Sequence, residues 1–109
     1  MNNIKRFSPL TEATYYILLA LVEPLHGYGI IKKVEEMTTG RVRLAAGTLY
    51  GALSTLLDHK QIILIGEDKG NKRRKLYQIT ESGRVLLNYE IERLQEMVSN
   101  GAREMGVSI

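Results

Sequence analysis

The sequence predicts a mainly α-helical fold with one small β-hairpin, an α+β arrangement. Between residues 46 and 60, leucines recur at the spacing of one helix face, at Leu49, Leu53, Leu56 and Leu57. A β-branched run at residues 62–65 is followed by a turn-rich segment and a second strand pattern at residues 76–79. A long helical pattern occupies the rest of the chain, so the hairpin lies between two helices.

Length and composition indicate one small globular domain with at most an appendage, because 109 residues bury only a modest core. The net charge of +3 is mildly basic, so it indicates an anionic partner only where the positive charges cluster. Cysteine is absent, and His26 and His59 lack a second ligand at metal-binding spacing. We therefore expect no disulfide, no metal and no cofactor.

The sequence offers no support for a membrane protein or an enzyme. Residues 1–8 are polar, unlike a signal peptide, and the longest apolar run, residues 15–22, is shorter than the roughly 18 to 20 residues that cross a bilayer. Asp58 and His59 are adjacent on a helix and point in different directions, and no nucleophile elbow or phosphate loop occurs. We expect a cytoplasmic, non-catalytic protein.

The first helix is expected to begin with Ser8 as its N-cap, Pro9 at its first position and Glu12 near the positive end of its dipole. Its body, residues 15–22, is apolar on every side, which predicts that a second element or subunit covers it. Pro24 should end the helix, because proline disfavours helical backbone in the residue before it.

A second amphipathic helix should follow a turn at residues 26–29 and end at Gly40, with Tyr28, Ile31 and Val34 on its apolar side. The next segment alternates polar and apolar residues, which predicts a short strand or an extended linker. Arg41 and Arg43 then point to the same side and become candidate contacts for an anion.

The third helix, at residues 46–60, has an outer face of small or short side chains opposite its leucines: Gly47, Gly51, Ser54, Thr55 and Asp58. Thr48 and Tyr50 flank that face. Small side chains allow the helix to approach the bases in a DNA groove, and we expect Gly47, Thr48, Tyr50 and Ser54 to meet DNA. The alternative is an amphipathic helix whose outer face is only solvated.

The hairpin carries five positive charges within seven residues: Lys69, Lys72, Arg73, Arg74 and Lys75. Such a cluster repels itself unless an anion binds it, so the pattern predicts contacts with nucleic-acid phosphates. The alternative is a solubilising loop. The position of the cluster directly after the small-faced helix favours the phosphate contacts.

The last helix should begin after Thr80 as N-cap, with Glu81 in its first turn. Alternating spacings of four and three predict a seam for another helix, formed by Leu87, Ile91, Leu94, Val98 and Met105 with Gly101 between the last two. The seam could pack on its own domain, but its length favours a homodimer in which it meets Tyr15 and Leu19 of the partner's first helix. Such an interface would leave an effector crevice bordered by Tyr15, Leu19, Tyr89 and Met97.

This order of elements is that of a winged helix-turn-helix domain, residues 1–79, followed by a dimerisation helix, residues 80–109. Three motifs also resemble one family. They are Leu18-Leu19-Ala20-Leu21 with His26-Gly27-Tyr28-Gly29-Ile30, then Gly47-Thr48-Leu49-Tyr50-Gly51-Ala52-Leu53, and Lys72-Arg73-Arg74-Lys75-Leu76-Tyr77-Gln78-Ile79-Thr80-Glu81-Ser82-Gly83. The sequence from Leu10 to about Leu94 resembles the PadR-like transcriptional regulators, specifically the short members with a single C-terminal helix.

The resemblance implies a dimeric bacterial repressor whose third helix and hairpin bind an inverted repeat of double-stranded DNA, often released by a small aromatic or hydrophobic effector. Two departures stand out. Ala45-Ala46 replaces the polar residue that often precedes the Gly-Thr-Leu-Tyr block, and the chain has no Trp to stack a flat ligand at the dimer interface. A winged-helix module that binds a protein and not DNA is the alternative function, because the fold serves both purposes.

Overall fold

The computed structural model describes residues 3–68 and 71–109, with the side chains of residues 67–74 also outside the description. A short 3-10 helix, Ile4–Phe7, precedes three helices, α1 (Glu12–Ala20), α2 (Gly27–Met37) and α3 (Ala46–Asp58). The strands β1 (Ile62–Asp68) and β2 (Asn71–Ile79) follow, and α4 (Glu81–Met105) is the last element. The predicted fold class, mainly helical with one hairpin, is confirmed.

The core lies where α1, α2, α3, the base of the hairpin and the first turns of α4 meet. The leucine stripe of α3 enters this core as predicted, with Leu49, Leu53 and Leu56 at most 1% exposed and Leu57 half-buried. Burial of apolar side chains is the main favourable contribution to folding, and α3 supplies three of the buried core residues. The stripe also fixes which face of α3 remains outside.

Helix caps confirm some predictions and correct others. Thr80 caps α4 by accepting a hydrogen bond from the Gly83 amide, as predicted. Thr11, and not Ser8, caps α1 through the amide of Thr14, so the prediction for Ser8 and Pro9 is wrong. The helix also ends earlier than expected, at Ala20.

The predicted turn at residues 26–29 is instead the beginning of α2. His26 is the N-cap, and its Nδ1 accepts a hydrogen bond from the Gly29 amide at 3.1 Å. Tyr28, expected on the apolar side of the helix, is 61% exposed. Glycines at positions 27 and 29 suggested a turn, but the imidazole cap satisfies the Gly29 amide and allows the helix to begin there.

The hairpin is antiparallel, with Ile62 opposite Ile79 and Leu64 opposite Tyr77. On its other edge β2 is joined to the segment after α1, because the amide and carbonyl of Tyr77 both bond to Leu25. The Thr80 hydroxyl, next to the hairpin base, donates to the Lys60 carbonyl at 2.8 Å. The base of the hairpin is therefore fixed to the helical core.

The N-terminal segment is tied to α4 through Glu90, which is 1% exposed. Its carboxylate accepts hydrogen bonds from the Ser8 hydroxyl and from the Leu10 amide, the latter at 2.8 Å. Arg93, one turn further along α4, donates to both carboxylate oxygens at 2.9 and 3.0 Å. Ser8 thus contributes to a long-range contact and not to a helix cap.

The first helix is better covered by its own chain than its all-round apolar sequence predicts. Ile17, Leu18 and Ala20 are fully buried, while Tyr15, Tyr16 and Leu19 pack partly buried against the same core. In contrast, α4 becomes exposed along its second half, where Val98 is 50% exposed. No helix within the described residues is long and apolar enough to span a bilayer.

Candidate nucleic-acid interface

The outer face of α3 is exposed to solvent. Gly47, Thr48, Tyr50 and Ser54 all lie on it and are exposed, as the sequence predicted for the proposed DNA contacts. Apart from its chain neighbours and the backbone of α3, no described atom lies within 4 Å of a β-carbon built on Gly47 or Gly51. Nothing in the described part of the chain therefore prevents a flat or grooved partner from reaching the backbone of α3.

Tyr50 occupies a position that the sequence did not reveal. Its phenol lies against the first turn of α2, so close to Gly27 that a β-carbon there would overlap the phenol oxygen. The side chain nevertheless remains 52% exposed. Glycine at position 27 therefore allows the Tyr50 hydroxyl to sit beside the N-terminal end of α2, where the helix dipole favours anions.

The linker between α2 and α3 forms no strand, so the short strand that its alternating pattern allowed is absent from residues 41–45. Its two arginines contact carboxylates on different helices. Arg41 pairs with Glu12 at the start of α1, and Arg43 lies 3.6 Å from a carboxylate oxygen of Glu35 in α2. The hydrogen bond from Arg41 lowers the pKa of Glu12, and the same bond raises the pKa of Arg41.

An alanine occupies the N-cap of α3, and within the described residues no side chain caps this helix. The departure noted at Ala45-Ala46 therefore leaves the first amides of α3 without a side-chain partner. Helix N-termini with free amides carry a partial positive charge. This end of α3 is consequently compatible with a phosphate.

The hairpin cations are only partly described. Lys75 lies in β2 opposite Glu67 and is exposed. Lys72, Arg73 and Arg74 belong to β2 by their backbone, but their side chains lie outside the described part, as does the whole of Lys69. The predicted phosphate contacts of these four residues therefore remain predictions based on the sequence.

The proposed dimer residues divide into two groups. Leu87 is 4% exposed in the core of its own chain and leaves almost no surface for a partner, so the seam is corrected to begin at Ile91. Ile91 and Leu94 are half-buried and Val98 is exposed. With Tyr15 of α1 they border a groove of about 480 Å³, whereas Leu19 packs against the core and does not border it.

The four residues of the predicted effector crevice are not brought together within one chain. Tyr15 borders the groove beside Ile91, whereas Tyr89 borders a different cavity, of about 370 Å³, with Arg93. Met97 is 55% exposed, and its sulfur accepts a hydrogen bond from Arg93 at 3.2 Å. Helical spacing explains the correction, because Tyr89 and Met97 lie on another side of α4 from Ile91.

Tyr15 also borders a second cavity, of about 330 Å³, between α1 and α4. Its lining includes Tyr16, Glu12, Glu90 and Arg93. The hydrogen bonds from Arg93 and from Ser8 lower the pKa of Glu90 to about 2, although burial of the carboxylate opposes this change. Glu90 therefore stays ionised at neutral pH. Sequence reasoning missed it, because a glutamate in a charged helix resembles a solvated one.

Within the described residues, no group of three or more His, Asp or Glu side chains could hold a metal ion. In the described part of the chain, the site is a surface with an exposed helix face and two linker arginines. Such a surface binds by contact and charge.

Comparison with known proteins supports this interpretation. A family model described as the transcriptional regulator PadR-like family matches residues 17–89. A PadR family regulator from Eggerthella lenta is 25% identical, with a TM-score of 0.69 over 85% of this chain and 80% of that one. A PadR-like transcription factor from Bacteroides fragilis is 27% identical, with a TM-score of 0.67 over 85% of this chain and 88% of that one.

A transcriptional regulator from Thermoplasma acidophilum is 26% identical, with a TM-score of 0.67 over 88% of this chain and 92% of that one. A search of curated proteins found no match. The family model covers well over half of the chain and includes α3, the hairpin and the first part of α4. The chain therefore belongs to the PadR-like family of transcriptional regulators, whose winged-helix fold binds DNA.

Proposed function

We propose that this protein is a sequence-specific DNA-binding repressor that acts as a homodimer in the cytoplasm. The observation that carries the proposal is the exposed outer face of α3, with Thr48, Tyr50 and Ser54 on it. In a winged helix-turn-helix, this helix enters the major groove while the hairpin contacts the backbone or the minor groove. Thr48 would meet base edges or a thymine methyl group, and Tyr50 a phosphate.

The decisive experiment is selection of bound sequences from random duplex DNA. A homodimer of this kind should enrich an inverted repeat whose half-sites lie about one helical turn apart, roughly 34 to 36 Å. Enrichment of an inverted repeat supports both sequence specificity and two-fold symmetry. Recovery of random sequences would contradict the proposal.

A winged-helix module that binds protein is the second candidate, favoured by the exposed apolar side chains of β1, Ile63, Leu64 and Ile65. The basic hairpin distinguishes the two functions, because a protein-binding module does not need Lys72, Arg73, Arg74 and Lys75. Retention on heparin that falls steeply with salt supports DNA binding. Weak retention that is independent of salt supports the protein-binding module.

The role of the hairpin is tested by replacing Arg73 and Arg74 with Ala. Loss of phosphate contacts should weaken binding to all duplexes alike, and the slope of affinity against salt should fall by about one per lost contact. Replacement of Arg84 and Arg103, two exposed arginines of α4, removes the same charge elsewhere. Equal salt slopes in both double variants would show that the hairpin does not contact phosphate.

The homodimer is proposed from the exposed apolar seam of α4 that begins at Ile91. Ile91→Asp would place a carboxylate in that seam, at a cost of several kcal/mol if the charge stays buried and unpaired. Asn100→Asp, about 180° around the helix, adds the same charge on the other side. Sedimentation equilibrium should show monomers for the first variant and dimers for the second, and dimers of equal affinity would contradict the interface.

We also propose that a small hydrophobic or aromatic effector binds beside Tyr15 and releases the repressor from DNA. The groove of about 480 Å³ that Tyr15 borders with Ile91, Leu94 and Val98 adjoins the proposed interface, so an occupant there could change the spacing of the two α3 helices. The dye 1-anilinonaphthalene-8-sulfonate is a suitable aromatic probe. It should fluoresce on binding and weaken DNA binding, and a dye that binds without affecting DNA would contradict this coupling.

A further inference from the structure

The two linker arginines, both candidate DNA contacts, are already occupied in the free protein. Arg41 donates to a carboxylate oxygen of Glu12, and Arg43 lies 3.6 Å from Glu35. The Nε of Arg43 also donates to the Gly40 carbonyl at 3.2 Å, which places its guanidinium over the end of α2. Each cation therefore has a carboxylate partner on a helix other than α3.

All four side chains are accessible to solvent and to a ligand. Arg41 and Glu12 are 60% and 53% exposed, and Arg43 and Glu35 are 71% and 45% exposed. An exposed ion pair is weak, worth a factor of roughly 1.5 to 5 in an equilibrium constant. A DNA phosphate can therefore displace either carboxylate, although it must compete with it.

Carboxylate and phosphate oxygens accept the same hydrogen bonds from a guanidinium group. A guanidinium donating to Glu12 has fewer donors left for DNA, and the Glu12 carboxylate itself repels the phosphate backbone. The pKa of Glu12 is lowered by the bond from Arg41, so this carboxylate is charged at neutral pH. Competition and repulsion act in the same direction, against DNA binding.

We propose that Glu12 and Glu35 are internal competitors of DNA phosphate for Arg41 and Arg43, so that the free protein holds its linker in a self-inhibited, charge-neutralised form. The inference rests on the proposed function, because it requires DNA at the linker. A carboxylate that instead held its arginine ready for DNA would have the opposite effect, since its removal would weaken binding.

The test measures affinity for the selected duplex by fluorescence anisotropy with Glu12→Gln, Glu35→Gln and Glu36→Gln. The amide has nearly the same shape as the carboxylate but no charge. Glu36 is the matched control, because it is exposed on α2 next to Glu35 and, within the described residues, accepts no hydrogen bond from either arginine. All three variants change the net charge equally.

We expect the Gln variants at positions 12 and 35 to bind DNA about two- to five-fold more tightly than the Glu36→Gln control. The gain at position 12 should shrink when Arg41 is replaced by Ala, because no cation is then left to release and only the relief of repulsion remains. Binding equal to or weaker than that of the control overturns the inference. Thermal unfolding of each variant confirms that the protein compared is folded.

The failures of the inference and of the proposed function are distinguishable. Loss of enrichment and of DNA binding by the wild-type protein, even at low salt, overturns both. Wild-type binding that is unaffected by Arg41→Ala and Arg43→Ala together overturns the inference alone. In that case the DNA would contact α3 and the hairpin but not the linker.

Discussion

Replacing Glu90 with Gln should destabilise the protein by an amount that depends on pH. The carboxylate is 1% exposed and accepts hydrogen bonds from Arg93, the Ser8 hydroxyl and the Leu10 amide. Its pKa falls from an ordinary value of 4.5 to about 2 in the folded protein. A difference of that size corresponds to about 3 kcal/mol of stability, an upper value because Arg93 is partly solvated.

The pH range follows from the direction of the pKa change. A carboxylate with a lower pKa in the folded state stabilises that state fully above the unfolded pKa, near pH 5, and the effect is lost as the pH falls toward 2. At pH 3 about 2 kcal/mol of the contribution should already be lost, because most unfolded chains then bind the proton and most folded ones do not. The amide variant lacks this titration.

Urea unfolding of wild type and Glu90→Gln, at one protein concentration and at pH 7 and pH 3, measures the effect. The free energy of unfolding of wild type should exceed that of Glu90→Gln at pH 7, and this difference should be about 2 kcal/mol smaller at pH 3. Glu96 is an exposed glutamate of the same helix and serves as the control. The free energy of unfolding of Glu96→Gln should differ from that of wild type by less than about 0.5 kcal/mol at both pH values. A gap of the same size at pH 3 and pH 7 would refute the reasoning, since it would show that Glu90 has an ordinary pKa.

Two further predictions concern glycines whose surroundings differ. Gly27→Ala should displace the phenol of Tyr50 and weaken DNA binding about five-fold in an anisotropy titration. Tyr50→Phe should weaken binding by a similar factor, because it removes one hydrogen bond. The variant with both changes should lose no more DNA affinity than either single variant. Gly83→Ala should lower the free energy of unfolding in urea by about 1–3 kcal/mol, because its β-carbon would overlap the rigid backbone carbonyl of Gln61. Gly101→Ala should raise the free energy of unfolding by about 0.5–1 kcal/mol, because no described atom outside its chain neighbours and helix backbone lies within 4 Å of the new β-carbon. Equal effects of the two alanines would contradict the packing at Gly83.

Local sequence patterns predicted the elements that depend on neighbours in the chain. The leucine spacing of α3, the cap at Thr80 and the strand pattern at residues 62–65 each involve residues a few positions apart. For such features the periodicity or the capping side chain is visible in the sequence itself. These predictions were confirmed in the described part of the chain.

Contacts between distant residues were not predictable in this way. Ser8 has the sequence features of an N-cap, but its hydroxyl donates to Glu90, 82 positions away. Glu90 resembles a surface glutamate, because burial of a charge depends on partners that only the fold brings together. The contact of Tyr50 with Gly27 has the same origin, as it joins two helices whose packing sets the distance.

Glu90 also marks the point where α4 leaves its own core. Leu87, one turn earlier, is buried, whereas Val98, two turns later, is half exposed and belongs to the proposed seam. Bonds from the Ser8 hydroxyl and the Leu10 amide to the Glu90 carboxylate therefore hold α4 at its exit from the domain. If two chains pair through the exposed half of α4, the direction fixed at Glu90 determines how far apart their α3 helices lie. A small rotation there would be amplified along a helix of 25 residues, so the spacing that operator half-sites require would depend on a buried carboxylate remote from the DNA.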